Sequence, residues 1–465
     1  MRRNKLLFIF AMLVAASARA AVGDTFTAST VEGVTMTFSV TDEGNKTCQV
    51  GSDFAECCIS QDTRGALTIP QTANGYEVTA IAPFAFYQCE HLTSVTLPDG
   101  ITVIGNDAFG YCGSLTSMNI PESVKTIGVD AFIRCGLLEI DIPAGVTTIE
   151  GNPFPNAPAL RVAEGNLVFC SPEGSKAVIE KASRTLVAGC GGTVIPQDVT
   201  AIGPFAFNHC RLNAIVIPES VMEIGEYAFY SSYLESIEIP LGVTVLKANT
   251  FERCVALSSV TLHEGIGTVE RNCFKDCKSL HSIALPQSLR TIGHNAFQGC
   301  QSLEEMIIPE GVEEIPAAAF VECGALRDVR LPESLKRIDD MAFFGCESLD
   351  SISLPSGLTE LGRAVFGYGP LTAYRLFCET PPVVDETTFM GNYDARLYVP
   401  TGCAETYKNT VVWKNFKEIV EFDTNHITGI RIPVFQETIF DLQGRHLASP
   451  PNKGVYIQDG KKYVK

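Results

Sequence analysis

Residues 286–354 contain the same 23-residue unit three times in succession. They read PQSLRTIGHNAFQGCQSLEEMII (286–308), PEGVEEIPAAAFVECGALRDVRL (309–331) and PESLKRIDDMAFFGCESLDSISL (332–354). Each unit opens with Pro, carries Ala-Phe near its middle, places Cys three residues after the Phe and ends in a short run rich in apolar residues. A unit this short cannot bury its own apolar side chains. It must therefore stack on neighbours that present the same side chains at the same height.

The unit recurs along most of the chain, with a few copies of 22 residues. The Phe positions are 86, 109, 132, 207, 229, 251, 274, 297, 320, 343 and 366. Cys follows three residues later at 89, 112, 135, 210, 254, 277, 300, 323 and 346. So many coincident positions predict a mainly-β repeat solenoid of about 12 units of 22–23 residues, with small β caps at both ends.

The run that closes each unit predicts a short strand. In residues 94–97, alternation directs Val95 and Leu97 inward and leaves Ser94 and Thr96 facing outward. Pro98 ends the strand because proline has no N–H to give to a ladder. Stacked units should lie roughly 4.8 Å apart, and their parallel strands should form a continuous sheet on one side.

At these residues the chain resembles the BspA-like branch of bacterial leucine-rich repeats, whose pattern is I-G-x-x-A-F-x-x-C-x-x-L. The resemblance covers the predicted solenoid, residues 69–377. It implies a leucine-rich repeat fold. It also implies a cell-surface or secreted protein, since several relatives are adhesins for host extracellular-matrix proteins or for other bacteria.

The pattern breaks at residues 152–192. The Phe is kept at 154, but two apolar runs, residues 166–170 and 184–190, replace the Cys and the closing strand. We predict an irregular, hairpin-like unit of the solenoid. A specialised binding bulge is the alternative.

The flanks predict export and capping. Residues 1–20 have a basic start, an apolar run and Ala-Arg-Ala at their end, as in a signal peptide cleaved after Ala20, and no later apolar run reaches membrane-spanning length. Residues 21–68 predict an N-terminal β cap and residues 378–424 a capping coil, in which Trp413 would cover the last turn. We expect the protein at the cell surface or secreted.

The end of the chain, residues 425–465, predicts a small β unit. It resembles the C-terminal sorting domains of the type IX secretion class, and Lys461, Lys462 and Lys465 match the basic end of that family. In the family this domain guides export across the outer membrane. A short β tail without a sorting role is the alternative.

Composition narrows the function classes. The net charge of −18 repels phosphate backbones and anionic membranes, so nucleic acid is not an expected partner. The 46% of hydrophobic residues is enough for a large core.

The 17 cysteines predict packing rather than a disulfide framework. Nine occupy one position of the repeat, where a free Cys packs as a small hydrophobe, so we expect a reduced, buried ladder. Outside this ladder, a bridge between Cys170 and Cys190, or between Cys48 and either Cys57 or Cys58, stays open.

We find no motif for catalysis, metal binding or a cofactor. Cys273 replaces the Ala before Phe274, so Cys273 and Cys277 are expected in the core rather than as metal ligands. The seven His are scattered, and neither H-E-x-x-H nor G-x-S-x-G occurs. We therefore predict a protein that is not an enzyme.

Two surfaces are candidates for binding. The first, the closing strip, consists of outward residues of the closing strands and is mostly small and polar; its members include Thr96, Asn119, Asp141, Glu238, Thr261, Glu305 and Arg330. The second, the ridge, consists of the two residues between each Phe and Cys and carries aromatic and basic groups, including Tyr87, Tyr111, Arg134, His209 and Arg253. Ordinary solvated loop residues would explain either pattern as well.

The leading hypothesis is a non-enzymatic binding protein that recognises a protein ligand, such as a host extracellular-matrix or bacterial surface protein, along the solenoid. The alternative is a glycan-binding or envelope-structural protein. Exposed aromatic side chains clustered in a groove would favour a glycan, whereas a flat strip would favour a protein or a scaffold.

Overall fold

The chain forms a mainly-β leucine-rich repeat solenoid, as the repeat predicts. The structure, a computed structural model, describes residues 21–53 and 57–424, together with the backbone of residues 439–441, 446–447, 455–458 and 461–464. The expected signal peptide, residues 1–20, lies outside the described residues. The solenoid has about 16 turns rather than about 12. Parallel pairing continues past the repeats, from Thr47–Val50 onto Tyr76–Ile81 at one end and from Arg396–Pro400 onto Glu418–Phe422 at the other.

The closing strands form one wall, but this wall is not the continuous sheet that we expected. Its separate sheets comprise Gly65–Thr68, Leu92–Thr96 and Ser117–Met118; Ile140–Ile142 and Leu160–Val162; Ser236–Glu238 and Ser259–Thr261; Glu305–Ile307 and Asp328–Arg330; and Ser351–Leu354, Ala373–Leu376, Arg396–Pro400 and Glu418–Phe422. The first break, between Met118 and Ile140, coincides with a 22-residue unit. One residue separates Cys135 from Leu137, whereas two separate the corresponding Cys112 and Leu115.

A second wall carries parallel strands, which have two residues each except for the first two, Thr47–Val50 and Tyr76–Ile81. Its sheets comprise Thr47–Val50, Tyr76–Ile81, Val103–Ile104, Thr126–Ile127 and Thr148–Ile149; Ala201–Ile202 and Glu223–Ile224; Val245–Leu246, Thr268–Val269 and Thr291–Ile292; and Glu314–Ile315, Arg337–Ile338, Glu360–Leu361 and Val383–Val384. The Gly after the Ile allows close approach between units. A Cβ on Gly293 would lie 2.3 Å from the backbone nitrogen of Arg271, closer than real contacts allow.

A third set of contacts joins the turns that carry the Phe side chains. The Phe86 N–H donates to the Ala108 carbonyl at 2.8 Å, and the Phe297 N–H donates to the Ala319 carbonyl at 2.9 Å. These bonds satisfy backbone groups that would otherwise be buried without a partner. The same register also stacks the rings. Phe297 lies between Phe274 and Phe320, with centroids 5.4 Å from each and interplanar angles of 13° and 4°.

The irregular segment is a β hairpin that separates two hydrophobic cores. Ala177–Glu180 pairs antiparallel with Thr185–Gly189 and also with Phe169–Cys170. Val178 packs in the N-terminal core, whereas its neighbours Ala177 and Ile179 pack in the C-terminal core. Side chains that alternate across the strand therefore complete both cores. The two outer strands fall in the predicted apolar runs, residues 166–170 and 184–190, whereas the central strand, Ala177–Glu180, was not predicted.

Both ends of the solenoid are covered. At the N-terminal end, Thr25–Ser29 pairs antiparallel with Thr35–Asp42, which pairs with Thr47–Val50, and Thr72–Ala73 pairs with Tyr76–Ile81. At the other end lie a helix, Ala404–Asn409, and a 3-10 turn, Trp413–Asn415. The Trp413 indole is fully buried, and its N–H donates to the Pro382 carbonyl at 2.9 Å.

The described residues of the tail form four short strands in one antiparallel sheet. They are Ile439–Asp441, His446–Leu447, Val455–Gln458 and Lys461–Val464. Within the described residues, no helix is long and apolar enough to cross a lipid bilayer.

All 17 cysteines are free thiols in the structure. Eight of the nine ladder cysteines are buried, and Cys135 is half-buried. The bridges left open above are not formed. Cys190 instead directs its thiol to the Lys176 carbonyl, and Cys57 faces Cys89 rather than Cys48.

Replacing Phe297 with Ala should destabilise the solenoid by about 3–5 kcal/mol, because its ring is fully buried and stacked on both sides. Chemical denaturation of the variant and of an exposed control, Gln301→Ala, measures the difference. A loss below about 1 kcal/mol for Phe297→Ala would contradict a core role for this ring.

Candidate functional site

The closing strip carries mostly small or polar side chains. Thr96, Asn119, Asp141 and Glu238 are exposed, whereas Thr261, Glu305 and Arg330 are half-buried. The guanidinium of Arg330 is engaged on its own strand, where it donates to Asp328 at 3.1 Å. Small polar side chains like these are under-represented among residues that dominate binding energy.

The strip continues further toward the C-terminus than we predicted. Arg375 aligns with Ser353 on one side and with Tyr398 on the other. The Arg375 guanidinium lies over the Tyr398 ring at 5.5 Å, a cation–π distance. This pair was not predicted, because the alternation was not extended to Arg375 at the end of the predicted solenoid and because Tyr398 lies in residues 378–424, which were assigned to a cap.

The second residue of each ridge pair has a left-handed backbone in the regular units. Tyr111, Arg134, His209 and Arg253 have φ angles of 62°, 54°, 55° and 61°. For residues other than Gly this conformation costs roughly 1–2 kcal/mol. Hydrogen bonds to the next unit offset the cost: the Tyr111 N–H donates to Ile133 at 2.7 Å and the Arg253 N–H donates to Lys275 at 2.7 Å.

Aromatic and basic side chains stack along the ridge in its first part. The Tyr87 and Tyr111 rings meet edge to face with centroids 5.2 Å apart. The Arg134 guanidinium lies 5.1 Å from the centre of the Tyr111 ring. Each of these contacts joins residues of successive units, so the three side chains form one continuous surface.

A second group lies after the irregular segment. The His209 ring meets the Tyr230 ring edge to face at 5.4 Å, and the Arg253 guanidinium donates to the Tyr230 hydroxyl at 3.2 Å. Tyr230 is a functional candidate that sequence reasoning missed. It occupies the position directly after Phe229, so the ridge definition itself could have found it.

The units that carry the two groups meet across the irregular segment, where the Asn208 amide donates to Asp130 at 3.0 Å. Burial lowers the pKa of His209, and the positive charges of Arg134 and Arg253 lower it further. Arg134 precedes the irregular segment and Arg253 follows it, yet both act on the same imidazole. The two groups of the ridge therefore lie near each other across the irregular segment.

A recess opens beside the ridge where the units change length. It has a volume of about 250 Å³ and is lined by Ser231, Ser232, Tyr233, Arg253, Val255, Asp276 and Lys278. One residue separates Ser232 from Leu234, whereas two separate Cys254 from Leu257 in the next unit. The shorter turn leaves space next to the longer one. Tyr233 is 45% exposed at this edge, so an aromatic face is available beside charged groups.

A similar recess of about 170 Å³ lies at the first break in the closing wall. Phe132, Leu137 and Ile140 are among its apolar lining residues, and Glu139 and Asp141 are the two acidic ones. Arg161 pairs with Glu139 at 3.3 Å. Of the predicted strip residues, Asn119 and Asp141 are brought together here.

Two carboxyl groups occupy the repeat position two residues before the Phe, Asp107 in one unit and Asp130 in the next. Burial raises the pKa of Asp107 to about 6. Burial and the charge of Asp107 raise the pKa of Asp130 to about 7, against a smaller lowering by the Asn208 amide, which donates to Asp130 at 3.0 Å. Three later units have asparagine at this position, and the Asn272 amide donates to the Asn249 oxygen at 2.8 Å.

Replacing Asp130 with Asn should stabilise the protein at pH 8 and much less at pH 5. Because the folded-state pKa is raised from 3.8 to about 7, the folded state holds this proton more tightly than the unfolded state. The wild-type contribution is thus most favourable at low pH and is lost as pH rises through about 7. Thermal melts at both pH values measure the effect, with the exposed Asp99→Asn as control. A gain that does not change with pH would contradict the burial of a charged Asp130.

Comparison with known proteins assigns the family. The model of the BspA type leucine-rich repeat region matches six copies, over residues 66–161, 191–283 and 267–394. These ranges exceed half of the chain, and the protein therefore belongs to this family. A search of curated protein sequences finds no match.

Solved structures of bacterial leucine-rich repeat proteins are similar to this chain. One from Eubacterium ventriosum is 21% identical, with 75% of this chain and 96% of that chain covered and a TM-score of 0.48. One from Bacteroides ovatus is 23% identical, with 86% and 100% covered and a TM-score of 0.46. A leucine rich cell surface protein from Faecalibacterium prausnitzii is 21% identical, with 85% and 94% covered and a TM-score of 0.38.

Proposed function

We propose that this protein is an exported, non-enzymatic binding protein that recognises a protein ligand through the ridge from Tyr87 to Arg253. The observation that carries the proposal is the pair of stacked groups on this surface, Arg134 on Tyr111 and His209 on Tyr230. Tyr and Arg are the residue types most enriched among those that dominate binding energy. Several of them on one rigid surface provide multipoint contact.

The charge of the ridge indicates what kind of ligand fits. The chain as a whole carries −18, but Arg134 and Arg253 place positive charge on this surface, near enough to His209 for both to lower its pKa. An acidic or aromatic-rich protein segment complements such a surface, whereas the rest of the molecule would repel it. We place host extracellular-matrix proteins and bacterial surface proteins first among candidate partners.

Two features support a binding role over catalysis. The ridge side chains contact one another along a row rather than converge on one point, as acid and base groups in an active site would. Among the described residues, no group of three or more His, Cys, Asp or Glu side chains could hold a metal ion.

A glycan ligand is the second candidate, and the recess beside Tyr233 favours it. An exposed aromatic ring next to Ser231, Asp276 and Lys278 offers a face for a sugar ring together with hydrogen-bonding groups. In that case the residues of the recess would provide most of the binding free energy, and the ridge residues would contribute little to it.

A binding screen followed by paired substitutions tests the proposal. The chain from Ala21 onward would be screened by surface plasmon resonance against extracellular-matrix proteins, bacterial surface proteins and glycans. For a protein ligand we expect Tyr111→Ala and Arg134→Ala each to weaken binding about 30-fold, which corresponds to about 2 kcal/mol.

Matched controls on the closing strip, Thr96→Ala and Asn119→Ala, should change the affinity less than twofold. Strong losses in these controls with intact binding in the ridge variants would assign the site to the strip. Loss only in Tyr233→Ala, with a sugar ligand, would assign it to the recess.

Localisation rests on the two ends of the chain. We propose that residues 1–20 direct export and that the tail acts as a sorting domain that leads to surface display. Deleting residues 427–465 should then leave the melting temperature of the solenoid unchanged and reduce surface labelling of cells. Unchanged labelling would remove the sorting role and leave the binding proposal untouched.

A further inference from the structure

The ladder cysteines share one hydrogen bond. Each thiol of the regular units points to the carbonyl of the Phe in the preceding unit. Cys112 donates to Phe86 at 3.1 Å, Cys300 to Phe274 at 3.2 Å and Cys346 to Phe320 at 3.3 Å. This bond directs each sulfur to a backbone oxygen rather than to the next sulfur. It gives the physical reason why stacked thiols can remain unpaired.

Two ladder cysteines differ, because the unit before each is not a regular one. Cys210 donates to the Gly189 carbonyl of the irregular segment at 3.4 Å. Cys89 follows the N-terminal cap. There Cys58 occupies the place of the Phe, since its N–H donates to the Ala85 carbonyl at 2.7 Å just as Phe86 donates to Ala108. The Cys58 carbonyl already accepts the Thr37 N–H at 2.9 Å. The Cys89 sulfur instead meets the Cys57 sulfur at 3.3 Å.

The two thiols of this pair differ in reactivity. Cys57 is half-buried, whereas Cys89 is fully buried. The hydrogen bond from Cys89 lowers the pKa of Cys57 to about 7, against the effect of burial, and the pKa of Cys89 is raised. Cys57 is therefore the accessible nucleophile, and Cys89 is the resolving thiol beside it.

We propose that Cys57 and Cys89 form a disulfide that links the N-terminal cap to the first regular unit. The oxidant is a small disulfide such as oxidised glutathione, or an oxidoreductase disulfide. The Cys57 thiolate attacks one sulfur of the oxidant and releases one thiol. The Cys89 sulfur then displaces the second thiol, so two protein thiols become one disulfide as the oxidant is reduced to two thiols.

This disulfide would lie at the N-terminal end of the solenoid, where the cap meets the first regular unit. The cap covers the end of the parallel wall, and Thr37, which bonds to Cys58, belongs to the cap strand Thr35–Asp42. A covalent tie between the cap and the first unit opposes fraying of that end. The other ladder thiols keep their carbonyl partners and stay reduced.

Oxidation of the purified chain tests the proposal. The protein is incubated with oxidised glutathione at pH 8, alkylated, denatured and digested with a protease that cleaves after Glu. We expect one cross-link, between peptide 57–77 and peptide 78–90, because cleavage after Glu56, Glu77 and Glu90 isolates these segments. The number of titratable thiols in denatured protein should fall from 17 to 15, that is, by two.

Three variants make the assignment specific. Cys57→Ser should abolish the cross-link, whereas Cys58→Ser and Cys112→Ser should keep it. The melting temperature should rise by several degrees on oxidation of the wild type and should not change for Cys57→Ser. A cross-link that persists in Cys57→Ser, a link between Cys57 and Cys58, or a stable glutathione adduct on Cys57 would overturn the proposal. So would a loss of many more than two thiols.

Discussion

The contact between identical positions of successive units is the interaction on which the rest of the structure depends. At each Phe turn of the regular units, a backbone N–H bonds to the next unit and a ring stacks on the next ring, as for Phe297 on Phe320 at 5.4 Å. Neither contact exists within a single unit. Stability is therefore a property of neighbours, and the ends of the array must be covered by other means. The cap hairpin at one end and Trp413 at the other meet that requirement.

The same dependence explains how much of the fold the sequence could reveal. Residues that pack must recur, so the Phe and Cys positions alone were enough to predict a mainly-β leucine-rich repeat solenoid. Features that do not recur could not be found in this way. The strand Ala177–Glu180 has no counterpart in other units. The closing wall breaks after Met118, in the unit that has one residue fewer between Cys135 and Leu137. The sequence shows the shorter unit, but only the strand pairing in the structure shows that the sheet ends there.

The candidate site was predicted in part, for a related reason. The ridge was recognised as a surface because its residues vary between units, and Tyr87, Tyr111, Arg134, His209 and Arg253 were named from that variation. Their contacts could not be foreseen. Arg134 and His209 are 75 positions apart in the chain (209 − 134), and only the path of the irregular segment brings them close enough for Arg134 to lower the pKa of His209.

The ridge can vary because the core beneath it does not. Its left-handed backbone is held by a hydrogen bond from the residue's own N–H to the next unit, as for His209 to Tyr230 at 2.8 Å. That bond requires nothing of the side chain, so Tyr, Arg, His, Ser and Glu all occur at the same position with φ between 54° and 62°. Substitutions at this position can therefore change which ligand the surface binds without changing the fold. In such a protein the recurring residues determine the shape of the binding surface, and the variable residues determine what it binds.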